Sequence, residues 1–396
     1  MLKKLLVSLL SALLCMSVVA KPRHFQSNGN KNVNDVKIDE NGDVYVSPLK
    51  YHITSDSTAK VIYDYFYYKK LESVVIPPEI RVDGHAYPVT SIGESAFKDF
   101  DGLKHIEIPS SVTSIGDGAF LACIGLTNVK IPSSVTSIGK NAFLGCHALR
   151  SIEIPSSVTS IEYDAFKYCG NLTNINVAMD NQIYTSENGV LYNKDKTELI
   201  CVPGAMRGKF VVPSGVTRIG DNAFCRCMGM TDIEISTTVT SIGYGAFSDC
   251  LGLSSILIPS SVTNIGNSAF SDCRNLTNIE IPSSVTSIDD YAFEKCIGLT
   301  SIEIPSSVTS IGDGAFLACI GLTSIEIPSS VTSIGKNAFL GCHALRSIEI
   351  PSSVTSIGEN AFYDCKNLEI VIDNSKENVT VWESTFKNCK SVKFLK

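Results

Sequence analysis

The chain has 396 residues, is 44% hydrophobic and carries a formal net charge of −7. That apolar content supports a packed interior and argues against disorder. The acidic balance disfavours nucleic acid or an anionic membrane surface as a partner.

Residues 1–20 read as a secretory signal peptide. Lys3 and Lys4 precede an apolar run from Leu5 to Leu14, and Val18-Val19-Ala20 offers small residues before a cut after Ala20. Loss of the two lysines takes the charge to −9 (−7 − 2). No later stretch reaches about 18 uninterrupted apolar residues, so no transmembrane helix is expected. The chain is therefore expected to be secreted or held at the cell surface. Residues 21–92 are expected to form a polar N-terminus followed by a β cap. Val36, Ile38, Val44 and Val46 alternate around Asn41-Gly42, and Asp83-Gly84 gives a second hairpin signal.

Length alone would suggest two or three domains, but an internal repeat overrides that prior. Phe97, Phe120, Phe143 and Phe166 are 23 residues apart, as are Phe224, Phe247, Phe270, Phe293, Phe316, Phe339 and Phe362, with Phe386 following at 24. Each unit reads as a short strand with Ile302 and Ile304 inward and Glu303 outward, closed by Pro305. A second extended piece follows at Val308–Ile311, and Gly312 makes a corner. Ala315, Phe316, Cys319 and Leu322 then recur at steps suited to a short helical or 3-10 turn. Stacked units should build a parallel sheet at roughly 4.8 Å per turn.

The repeat is expected to occupy 93–177 and 210–396, the latter ending in a C-terminal cap that Trp382 helps to close. Residues 178–209 break the period. Asn188-Gly189 and Asn193–Lys196 are turn signals between β-prone runs, which predicts a hairpin arm projecting from the solenoid. Residues 106–161 and 302–357 are identical except at three positions, Asn128-Val129-Lys130 against Ser324-Ile325-Glu326. This looks like a recent duplication.

The pattern A-F-x-x-C-x-x-L-x-x-I-x-I-P-x-x-V-x-x-I-G resembles the BspA-type leucine-rich repeat over about residues 90–396. The resemblance implies a right-handed leucine-rich-repeat solenoid of parallel β-strands with short helical or 3-10 turns and an N-terminal β cap. It also implies an exported, adhesin-like binding protein whose partners are host matrix proteins, host cells or other bacteria. Carbohydrate capture and structural self-association are the rival functions.

Eleven cysteines follow the repeat Phe by three, from Cys123 to Cys389. They read as a buried column of small apolar residues, with disulfides or a metal site as alternatives. Cys225-x-Cys227 is the only tight pair, and no His lies near it in sequence. None of the six His sits in a nucleophile motif, and phosphate loops and H-E-x-x-H are absent from the sequence. The chain is expected to be neither an enzyme nor a cofactor binder. The outward strand position holds Glu107, Lys130, Glu153, Glu234, Glu280, Glu303, Glu326 and Glu349, interrupted by Asn176 and Leu257. It is the candidate partner-binding stripe, and its alternative reading is a solvated face that keeps the solenoid soluble. A further column, Thr113, Thr136, Thr159 and their counterparts, reads as strand preference or a flat ice-binding-like array.

Overall fold

A computed structural model describes residues 36–64, 68 and 71–396. The signal segment and the polar residues up to 35 lie outside the described residues. Each 23-residue coil lays down two short parallel strands on different walls. On one wall the pairing joins His85–Ile92, Ser114–Ile115, Ser137–Ile138 and Ser160–Ile161. On the other it joins Ser73–Val75, His105–Glu107 and Asn128–Val129. The 23-residue period is therefore the register itself: Ile115 pairs with Ile138, and Ile302 with Ile325.

Between the walls lie the repeated apolar positions. The Phe rings from Phe97 to Phe166 and from Phe224 to Phe386 stack nearly parallel, with centroids 5.0–6.0 Å apart. Tyr68 extends the first stack, 5.5 Å from Phe97. The Ala before each of these rings up to Phe362 is buried as well. Column cysteines are free thiols, and each points at the carbonyl of the preceding coil's Phe position; Cys319 Sγ lies 3.0 Å from Phe293 O. A thiol that fills space and satisfies a carbonyl explains the column without a disulfide. Burial pushes the Cys123 and Cys319 thiols up to about 12. The Thr column is also structural. Thr136 Oγ1 donates to Thr113 O and Thr332 Oγ1 to Thr309 O, at 3.3 and 3.2 Å.

Three sequence expectations need correction. The Ala-Phe segment is not helical: it is a run of tight turns, and among the described residues the only 3-10 helix is Lys376–Asn378. The reason is a left-handed residue two before and two after the Phe, such as Gly314 (φ 60°) and Ala318 (φ 56°). That alternation turns every second N–H toward the next coil: Phe316 N donates to Ala338 O, whereas Leu317 N closes a turn on Gly314 O. Trp382, expected to help close the C-terminal cap, is 50% exposed.

The third correction concerns the insertion, which does not project. Tyr184–Glu187 and Val190–Asn193 form an antiparallel hairpin, Glu198–Cys201 pairs back on it, and the same strand starts the next parallel ladder with Arg218–Ile219. The parallel ladders of both walls stop at the insertion and restart after it. The buried apolar residues accordingly fall into two clusters. Strand Val190–Asn193 lies between them, with Leu191 in the first and Val190 and Tyr192 in the second. A strand with two apolar faces has two cores to serve, which is why this stretch packs in instead of standing out.

At the N-terminal end, Val36–Ile38, Val44–Val46, Leu49–Ile53 and Ala59–Ile62 form an antiparallel meander whose last strand pairs in parallel with His85–Ile92. Gly42 and Asp83-Gly84 take the positive φ values that their hairpins need.

Candidate functional site

All eight residues of the predicted stripe are exposed on one wall. Strand alternation puts their neighbours inward: Ile302 and Ile304, flanking Glu303, are 6% and 5% exposed. The stripe has two characters. In the first block charges alternate, with Lys130 pairing in register with Glu153 and standing one coil from Glu107. Glu234 is held by Lys209 at 2.8 Å. From Glu280 through Glu303 and Glu326 to Glu349 the column is a run of carboxylates, and none of the four makes an ion pair among the described residues. At roughly 4.8 Å spacing each neighbouring pair repels by less than about 1 kcal/mol in water. A cationic surface laid along the wall would relieve that repulsion. A shallow groove of about 640 Å³ runs beside Glu326 and Glu349 and ends at Glu369 and Asp373. The last two are neutralised by Lys390 and Lys396, at 2.7 and 2.9 Å.

Sequence reasoning did not find a second feature, at the insertion. Here a cavity of about 90 Å³ is lined by Asp164, Tyr168, Cys201, Asn222, Cys225 and Arg226 among others. Asn222 Nδ2 donates to Asp164 Oδ1 at 2.7 Å across it, while Asn222 Oδ1 is buried without a partner. The Arg226 guanidinium lies 5.1 Å from the Tyr168 ring centre. Burial, chiefly, pushes the Tyr168 hydroxyl up to about 12, and it donates to Asp249 Oδ2 at 3.3 Å. The one hint in sequence is the broken period. Among the described residues no group of three or more His, Cys, Asp or Glu is placed to hold a metal ion.

Residues 59–198, 207–323 and 309–396 match the pattern of the BspA type leucine rich repeat region, in six copies. The chain belongs to the BspA-type leucine-rich repeat family. This BspA-type protein is similar to a leucine-rich cell surface protein of Faecalibacterium prausnitzii, with 28% identity, 93% of this chain and 96% of that one covered, and a TM-score of 0.56. A leucine-rich repeat protein of Eubacterium ventriosum is 27% identical over 86% of this chain and 95% of its own, with a TM-score of 0.65. The pneumococcal vaccine antigen PcpA shares the fold at 19% identity, covering 91% of this chain and 99% of its own, with a TM-score of 0.54. No curated protein matches the BspA-type chain in sequence. No helix among the described residues is long and apolar enough to cross a membrane.

Proposed function

We propose that this BspA-type protein is an exported recognition module that binds a protein partner through the acidic run Glu280, Glu303, Glu326 and Glu349. The observation that carries the reading is that this run lacks cations, while the same column in the first block is interleaved with Lys130. A face kept acidic only for solubility has no reason to gather four successive carboxylates in one block. The partner is then a protein with a basic patch, and adhesion to host matrix proteins, host cells or other bacteria is the setting in which it would be met. The similarity to a leucine-rich cell surface protein supports a place at the cell surface. The match to a leucine-rich repeat family and the likeness to a leucine-rich cell surface protein support a role in binding.

The test is binding of the purified chain to a panel of matrix proteins, glycans and whole cells, repeated with the Glu303→Gln, Glu326→Gln, Glu349→Gln triple variant. Binding to basic proteins should fall about ten-fold in the variant and weaken with added salt, because exposed charges are screened over about 10 Å at 0.1 M. Unchanged binding by the triple variant, or binding to glycans alone, overturns the proposal.

A further inference from the structure

In the regular coils the Ala-Phe segment is tied to the following coil by three backbone bonds at two-residue spacing. Asn141, Phe143 and Gly145 N–H donate to the carbonyls of Tyr163, Ala165 and Lys167 at 3.2, 2.8 and 2.9 Å. Asn222, Phe224 and Arg226 N–H donate to Tyr244, Ala246 and Ser248 at 2.7, 2.7 and 2.8 Å. Between these two coils the ladder stops. The N–H groups of Asp164, Phe166 and Tyr168 meet no acceptor in the described chain. On the facing wall the carbonyls of Asp221 and Cys225 meet no donor, and only Ala223 O is used, by Val202 N at 2.7 Å.

The cause is a shortened corner. Leu199 stands where the last Ile of a regular coil would be: Gly220 N donates to Leu199 O as Gly116 N does to Ile92 O. Val202 stands in the Phe position, since Cys227 Sγ faces its carbonyl at 3.6 Å as Cys123 Sγ faces Phe97 O. Two residues, Ile200 and Cys201, join these points, where Gly93 to Ala96 supply four in a regular coil. The 90 Å³ cavity lies at this cut corner.

We propose that the notch takes a short peptide segment of small residues from a partner protein, which completes the missing rung. One edge offers N–H groups and the other carbonyls, and a peptide backbone answers both at the same two-residue spacing. An anion would face the Asp164 carboxylate and the carbonyls of Asp221 and Cys225; a cation would face three N–H dipoles. The cavity is small, so the enclosed residues are Gly, Ala or Ser in size. The inference takes from the previous section only that the partner is a protein, and uses none of the stripe glutamates.

Hydrogen exchange at single-amide resolution on the purified chain tests it. The amides of Asp164, Phe166 and Tyr168 should exchange at least about ten-fold faster than those of Asn141, Phe143 and Gly145. Millimolar acetyl-Gly-Ser-Gly-Ala-amide should slow them about ten-fold. A variant with Asn-Gly inserted between Ile200 and Cys201 restores the corner, so its amides should be slow without peptide and indifferent to it. If the three amides of the original chain are already as slow as Phe143, the chain fills its own notch and the proposal fails. Fast amides that ignore the peptide overturn it equally, since the notch then holds solvent alone. Loss of partner binding in the glutamate variant leaves these readouts untouched, so the two proposals fail separately.

Discussion

Residues 106–161 and 302–357 are one sequence placed twice, differing only at 128–130 against 324–326, and the fold treats their interiors alike. Phe120 and Phe143 stack at 5.1 Å, Phe316 and Phe339 at 5.2 Å. Cys146 Sγ and Cys342 Sγ both lie 3.2 Å from a Phe carbonyl. The copies part at their neighbours. Lys140 sits over the Tyr163 ring at 4.4 Å, whereas its twin Lys336 pairs with Glu359 at 2.8 Å. One coil further on, Phe166 N–H is left open and Phe362 N–H is bonded to Thr385 O. Interior geometry is thus local to the repeat, while the chemistry that distinguishes the copies comes from what is stacked beside them.

The thiols give the largest handle on this comparison. Burial raises the folded-state values of Cys123 and Cys319 from 9.0 to about 12, so their contribution to stability is complete below pH 9 and is lost as pH rises from there toward 12. Each such thiol costs about 1.4 kcal/mol per pH unit within that window. The first block has three column thiols (Cys123, Cys146, Cys169), the second seven buried ones from Cys227 to Cys365. Urea unfolding at pH 7.5 and about pH 10 should therefore show the second block losing stability more steeply, read by the emission of Trp382, the chain's single tryptophan. Equal losses in both blocks would mean that the column is not sealed from solvent.

Next in size is the ring stack. Phe120→Ala and Phe316→Ala should each cost roughly 3–5 kcal/mol. Because the buried residues form two clusters, and a solenoid's stability is a sum of coils and their contacts, the losses should stay in their own blocks. Phe316→Ala should lower the midpoint seen by Trp382, and Phe120→Ala should move only the transition seen by far-ultraviolet circular dichroism. One shared transition in all three proteins would show that strand Val190–Asn193 welds the two cores together and would dissolve the two-block description.

The residues explain which parts of this were legible beforehand. The period names the interior columns directly, because a side chain that must fit the same hole every 4.8 Å or so is copied with its coil. Alternation placed Glu303 and its counterparts outside. It could not say which are neutralised, since Lys209 reaches Glu234 from the insertion. The turn segment was misread because apolar steps of three suit a 3-10 helix equally well. The corrective signal was nevertheless there: Gly118, Asn141, Asn222, Gly245, Asn337 and Asn360, all two before the Phe, are residues that tolerate a left-handed backbone. The cut corner was invisible because Cys201 and Val202 match no column letter. Only the hydrogen-bond register shows that Val202 stands for a Phe.

That register supports the smallest and most symmetrical prediction. Ala122 and Ala318 are twins, both at φ 56° and both two after the Phe, where other coils carry Gly145 or Gly341. A left-handed Ala costs about 1–2 kcal/mol, which Gly would relieve. Gly gives back about 0.4–1 kcal/mol through the larger entropy of the unfolded chain. Ala122→Gly and Ala318→Gly should each stabilise their own block by up to about 1 kcal/mol, equally in both, by the same urea experiment. Unlike the Phe and Cys changes, this one removes no interior atom and alters no charge, so it isolates backbone conformation. A gain in one copy and a loss in the other would mean that the neighbours, and not the repeat, set the backbone at this position, reversing the division between interior and surroundings drawn from the duplicated sequence.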